Sequence, residues 1–80
     1  MIKEFQHYVA WTDSMICEHG YAGLIGYQRK APNGVARILW VLAPNIVSES
    51  DAEDSADHML SQIQDINRFG KVIFNDGVTL

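Results

Sequence analysis

The chain has 80 residues, 48% of them hydrophobic and 20% charged, which excludes a wholly disordered, collagen-like or low-complexity chain. Six Lys and Arg against ten Asp and Glu give a formal net charge of −4, which disfavours a protein that coats nucleic acid. One cysteine excludes a disulfide framework within the chain and every multi-cysteine zinc motif.

Residues 1–80 fit one small globular domain with a thin core. Met1, Ile2, Phe5, Tyr8, Val9, Met15 and Ile16 fall on one stripe of 3.6-residue period, so the spacing predicts a first helix over Met1 to His19, closed by Gly20. A competing pattern exists: Phe5, His7, Val9 and Trp11 alternate as in a strand. Tyr21 to Arg29 reads as a strand weakened by Gly23 and Gly26. Lys30-Ala31-Pro32-Asn33-Gly34 is a turn signal, because proline presets φ and Asn-Gly accepts the positive φ that follows. Val35 to Ala43 is the second strand, ended by Pro44-Asn45. Its latter half is apolar on both faces, which predicts a central strand covered on both sides.

Ser48 to Phe69 reads as the second helix, with Ser50-Asp51-Ala52-Glu53 as a capping box and Ala52, Ala56, Met59, Leu60, Ile63 and Ile66 as its buried stripe. Lys71 to Asn75 is a short third strand, followed by an Asn75-Asp76-Gly77 turn. The predicted fold class is α+β, a single small domain of order α-β-β-α-β. Two helices pack on a three-stranded sheet, mixed or antiparallel. A right-handed crossover would place the last strand beside the first.

Charge is the most informative feature. Ile38 to Asn67 contains six acids, Glu49, Asp51, Glu53, Asp54, Asp57 and Asp65, and no Lys or Arg. Acids at a helix start complement its dipole and keep the domain soluble. The sharper reading makes Glu49, Asp51, Glu53, Asp54 and Asp57 a face aimed at a basic partner. An EF-hand is excluded: counting from Asp51, the glycine position holds Ala56 and the final glutamate position holds Gln62. Arg29, Lys30 and Arg37 surround the hairpin turn. They read either as a charged device against sheet aggregation or as a small anion-binding tip.

Catalytic signals are weak. Cys17 and His19 would face away from each other on a helix, and an exposed Asp54–His58 pair is an ordinary helix-surface contact. Serines 48, 50, 55 and 61 lack a nucleophile-elbow context, and Gly20, Gly23 and Gly26 precede no helix that could cradle phosphate. No catalytic residue, metal ligand or cofactor is therefore assigned. Trp11, Trp40 and Tyr27 exceed what so small a core needs and are candidate interface aromatics.

The expected function is a non-catalytic protein-interaction module in the cytoplasm that also self-associates as a homodimer. Size and charge suit a phage- or mobile-element-type inhibitor whose acidic helix binds a basic, nucleic-acid-handling protein. Two alternatives remain. One is a small enzyme or ligand-binding domain whose site forms between two subunits around His7, His19 or His58. The other is a nucleic-acid binder using Arg29, Lys30 and Arg37. No secretory signal or membrane-length apolar run is seen.

Overall fold

A computed structural model of the chain describes residues 1–18, 20–41 and 48–80. Strands β1 (Ile2–Glu4), β2 (Tyr8–Cys17), β3 (Gly20–Arg29) and β4 (Ala36–Val41) form an antiparallel meander in chain order. Helix α1 (Glu49–Ser61) follows, and strands β5 (Ile63–Ile66) and β6 (Val72–Phe74) pair as a separate antiparallel hairpin. This overturns the predicted α-β-β-α-β order, with its three-stranded sheet and two helices. The described residues contain one helix, and the last strand joins neither the first sheet nor a parallel crossover.

The largest correction lies at the N-terminal end, where β1 and β2 replace the predicted first helix. Tyr8, Ala10, Thr12 and Ser14 point to one side of β2, and Val9, Trp11, Asp13 and Met15 to the other. Both rows mix apolar with polar residues. Apolar side chains therefore recur at helical spacing by coincidence, and the period of two is hidden. The β-branched and aromatic run Tyr8, Val9, Trp11, Thr12 and Ile16 is the feature that suits a pleated surface. His19, assigned to the end of that helix, lies outside the described residues.

The β3–β4 hairpin turns where predicted, but Gly34 does not take the positive φ expected of the Asn-Gly pair. Gly34 N–H donates to the Ala31 carbonyl at 3.0 Å, and Gln28 Nε2 donates to the Gly34 carbonyl at 2.8 Å. Its second strand is not central, however. β4 lies at the end of the sheet order, and Ile38 and Trp40 are exposed. The predicted end of that strand, Leu42 to Asn45, lies outside the described residues.

The predicted second helix is shorter than expected. Its cap is Ser48, whose Oγ accepts from Asp51 N–H at 3.1 Å, so Ser50 and Glu53 do not form the box. It ends at Ser61, and Ile63 and Ile66 belong to β5. Residues three apart in a regular strand point to opposite faces. A register shift between Ile63 and Asp65 lets both isoleucines turn inward and be fully buried. One apolar pattern thus satisfies a helix stripe and a bulged strand alike.

The molecule has two layers. α1 and the β5–β6 segment cover one face of the β1–β4 sheet, and Phe5, Tyr8, Ala10, Ile25, Val41, Ala56, Leu60, Ile63, Ile66 and Val72 form the core between them. Gly23 lets the helix approach, because a Cβ there would lie 2.5 Å from the Ala52 carbonyl oxygen. Lys3 Nζ donates to the Ile63 carbonyl at 2.7 Å and ties β1 to the second layer. Among the described residues, no helix is long and apolar enough to cross a membrane.

Candidate interaction surfaces

The register places one cross-strand row, Ile2–Trp11–Gly26–Ile38, on the sheet face away from α1. The neighbouring row is Asp13–Leu24–Trp40, and Met15 pairs with Ala22 beyond it. A Cβ at Gly26 would collide with the Trp11 indole, so the ring occupies the space a side chain there would fill. Ile2 is 77% exposed, Ile38 55%, Met15 53% and Trp40 44%. Large apolar side chains from β1, β2 and β4 therefore share one uncovered surface. Two carboxylates share this face: Glu4 on β1 is paired with Lys30, and Asp13 stands between Trp11 and Met15 on β2, beyond the end of β1.

This surface unites two of the three candidate aromatics. Tyr27 is separated from them. It pairs with Ala10 on the covered face, and its ring packs against Tyr8 with centroids 5.9 Å apart. Sequence reasoning missed Ile2, Met15 and Ile38, which it assigned to a buried stripe or covered strand. The signal available was the apolar content of both alternations in β2 and β4, which predicts either burial on both sides or an uncovered apolar face.

The acidic residues occupy the opposite layer. Glu49, Asp51, Glu53 and Asp54 are exposed on α1, and among the described residues none of them forms an ion pair. Asp57 turns toward the sheet. It accepts a hydrogen bond from Thr12 Oγ1 at 2.5 Å and lies 3.6 Å from the Met1 ammonium. Four carboxylates thus remain directed to solvent, with Asp57 half-buried at their margin.

The basic residues divide among separate tasks. Lys30 Nζ donates to Glu4 Oε1, a contact that holds the Glu4 carboxyl below its ordinary pKa. Arg29 donates to the Arg68 carbonyl at 2.7 Å and braces the β5–β6 turn. Arg37 points to the covered face near Gly70. His7 is half-buried at the β1–β2 turn, His58 is exposed on α1 with its Nε2 3.3 Å from Gln62 Nε2, and Cys17 is exposed at the end of β2. Among the described residues, no three His, Cys, Asp or Glu side chains cluster as a metal-binding group. A shallow groove of about 280 Å³ between Gln62, Phe74, Asn75, Asp76 and Val78 contains one titratable side chain, Asp76, whose Oδ1 accepts from Val78 N–H.

Comparison of the chain with protein-family models, curated proteins and solved structures gave no match.

Proposed function

We propose that this chain is a non-catalytic protein-interaction module that engages its partner through the uncovered face of β1–β4. The observation that carries the reading is the joint exposure of Ile2, Met15, Ile38 and Trp40 on one side of a sheet whose other side holds the core residues Tyr8, Ala10, Ile25 and Val41. Scattered surface apolar residues are normal in soluble proteins, but a contiguous sheet face rimmed by polar groups marks an interaction site. Aromatic anchors such as Trp40 supply much of the binding energy at such surfaces.

A second reading is supported by the four solvent-directed carboxylates of α1. Glu49, Asp51, Glu53 and Asp54 would steer a basic partner, including a nucleic-acid-handling protein, toward the helix layer. The two readings use opposite layers of the molecule, so substitutions separate them. Photo-crosslinkers at Ala36 on the sheet face and at Glu53 on the helix would be compared in an extract of the source cells. The sheet-face reading expects a discrete crosslinked species from Ala36 that Trp40→Glu abolishes and Glu53→Lys with Asp54→Lys leaves intact. Crosslinking confined to the helix position, weakening as salt rises, would transfer the role to the acidic layer.

A further inference from the structure

The uncovered sheet face poses the question of its occupant. We propose that it is a second copy of this chain, and that two sheets pack face to face as a two-layer β-sandwich flanked by the two α1 layers. This rests on the sheet face being the interaction surface.

Three observations support self-association. The first is area. Four strands about 4.8 Å apart, two of them ten residues long at about 3.4 Å per residue, present a face on the order of 500 Å². Specific interfaces commonly bury about 800 Å² per partner, so this face lies at the low end, where association is reversible.

The second is charge. The chain carries −4 overall, yet the exposed acids Glu49, Asp51, Glu53 and Asp54 lie on the layer opposite the proposed interface. Face-to-face packing puts both sheets between the two acidic helices, well beyond a Debye length of about 8 Å. On the joining face, Glu4 is already neutralised by Lys30, and Asp13, between Trp11 and Met15 on β2, stands at the sheet edge where β1 has ended and accepts from Ser14 N–H.

The third is self-complementarity. An isologous contact needs one patch that matches itself, and a central apolar row bounded by exposed Ile2 on β1 and Ile38 on β4 meets that need. Two such sheets would pack about 10 Å apart with interdigitating side chains.

The test is sedimentation velocity on the full chain from about 1 to 200 μM, a range that brackets a reversible interface of this size. Wild type is expected to shift from monomer to dimer with a micromolar dissociation constant. Ile38→Asp and Trp40→Glu each replace an exposed side chain and should keep the far-UV circular dichroism of the wild type. Each is expected to weaken the dimer at least tenfold, and Glu53→Lys with Asp54→Lys should not weaken it. In the wild type, acrylamide quenching of tryptophan fluorescence should fall as protein concentration rises, a readout that needs no variant. A chain that stays monomeric at 200 μM with unchanged quenching overturns the homodimer, as does a dimer indifferent to both face substitutions. A monomer whose Ala36 crosslink to another protein is lost in Trp40→Glu overturns the second copy alone. Absence of both the dimer and that crosslink in the wild type removes the sheet-face reading as well.

Discussion

The Trp11 indole occupies the space that a side chain at Gly26 would need, on the strand directly paired with it. The pair is a fitted unit: the glycine admits the ring, and the ring covers the glycine backbone. Gly26→Ala should therefore displace Trp11 and cost about 1–3 kcal/mol, the usual penalty for overpacking. Urea denaturation gives the stability change, and a shifted tryptophan emission reports the displaced ring. Pairing the substitution with Trp11→Leu should recover part of the loss, and strict additivity would show that the two residues act independently.

Gly23→Ala tests the seat of the helix. The added methyl would stand 2.5 Å from the Ala52 carbonyl oxygen and 3.2 Å from Ala56 Cβ, with backbone on the near side. α1 must then lift from β3, at a cost of about 1–3 kcal/mol. Faster amide exchange in α1, with protection in the β5–β6 hairpin retained, is the expected signature. Unchanged stability would mean that the two layers slide past each other freely.

Leu60 and Ile63 are fully buried at the junction where the helix becomes a strand. Truncation of Leu60 or Ile63 to alanine should cost about 2–5 kcal/mol, whereas exposed Gln64→Ala beside them should change stability by less than about 0.5 kcal/mol. Thermal melts of the three variants decide this. Equal losses at Ile63 and Gln64 would contradict the inward turn of the bulged strand.

Glu4 supplies a pH prediction. Lys30 donates a hydrogen bond to its carboxylate and adds favourable charge, so the folded-state pKa lies below the ordinary glutamate value. Stabilisation from the pair is then fully present above the ordinary value and is lost as pH falls through the lowered folded value. The pair is exposed and its contribution is small. Its direct readout is the Glu4 carboxyl titration by NMR, with a midpoint below that of free glutamate. Lys30→Met should return the midpoint to the ordinary range. A wild-type midpoint already there would show that the contact does not persist in solution.

Much of the middle of the chain was legible in its residues. The Lys30–Gly34 turn, the strands on either side and the start of the acidic helix each have local chemistry that points one way: proline with Asn-Gly, a β-branched run, and serine before acids. The first 19 residues were misread because the uncovered sheet face is apolar. Val9, Trp11 and Met15 on that face, together with Tyr8 and Ala10 on the covered one, erase the alternation that identifies a strand. Ile63 and Ile66 misled for a different reason, since the bulge gives them helix-like spacing. Of the candidate surfaces, four of the five acids of the helix face could be placed from spacing alone, whereas Asp57 turns toward Thr12. The sheet face required the pairing register, which brings together residues as distant in sequence as Ile2 and Ile38.

The bond from Lys3 to the Ile63 carbonyl joins groups 60 residues apart and bears on the order of assembly. The β1–β4 meander closes through short connections, whereas its tie to the second layer through Lys3 forms only once residue 63 is in place. Loop-closure entropy makes that distant contact late. The two layers are thus expected to lock together after the meander has formed, with φ-values near zero for the Lys3–Ile63 contact and higher ones at Ile25 and Leu39. Until then the inner face of the meander stands bare, a temporary vacancy on which a neighbouring molecule's β5–β6 hairpin could seat during refolding at high concentration.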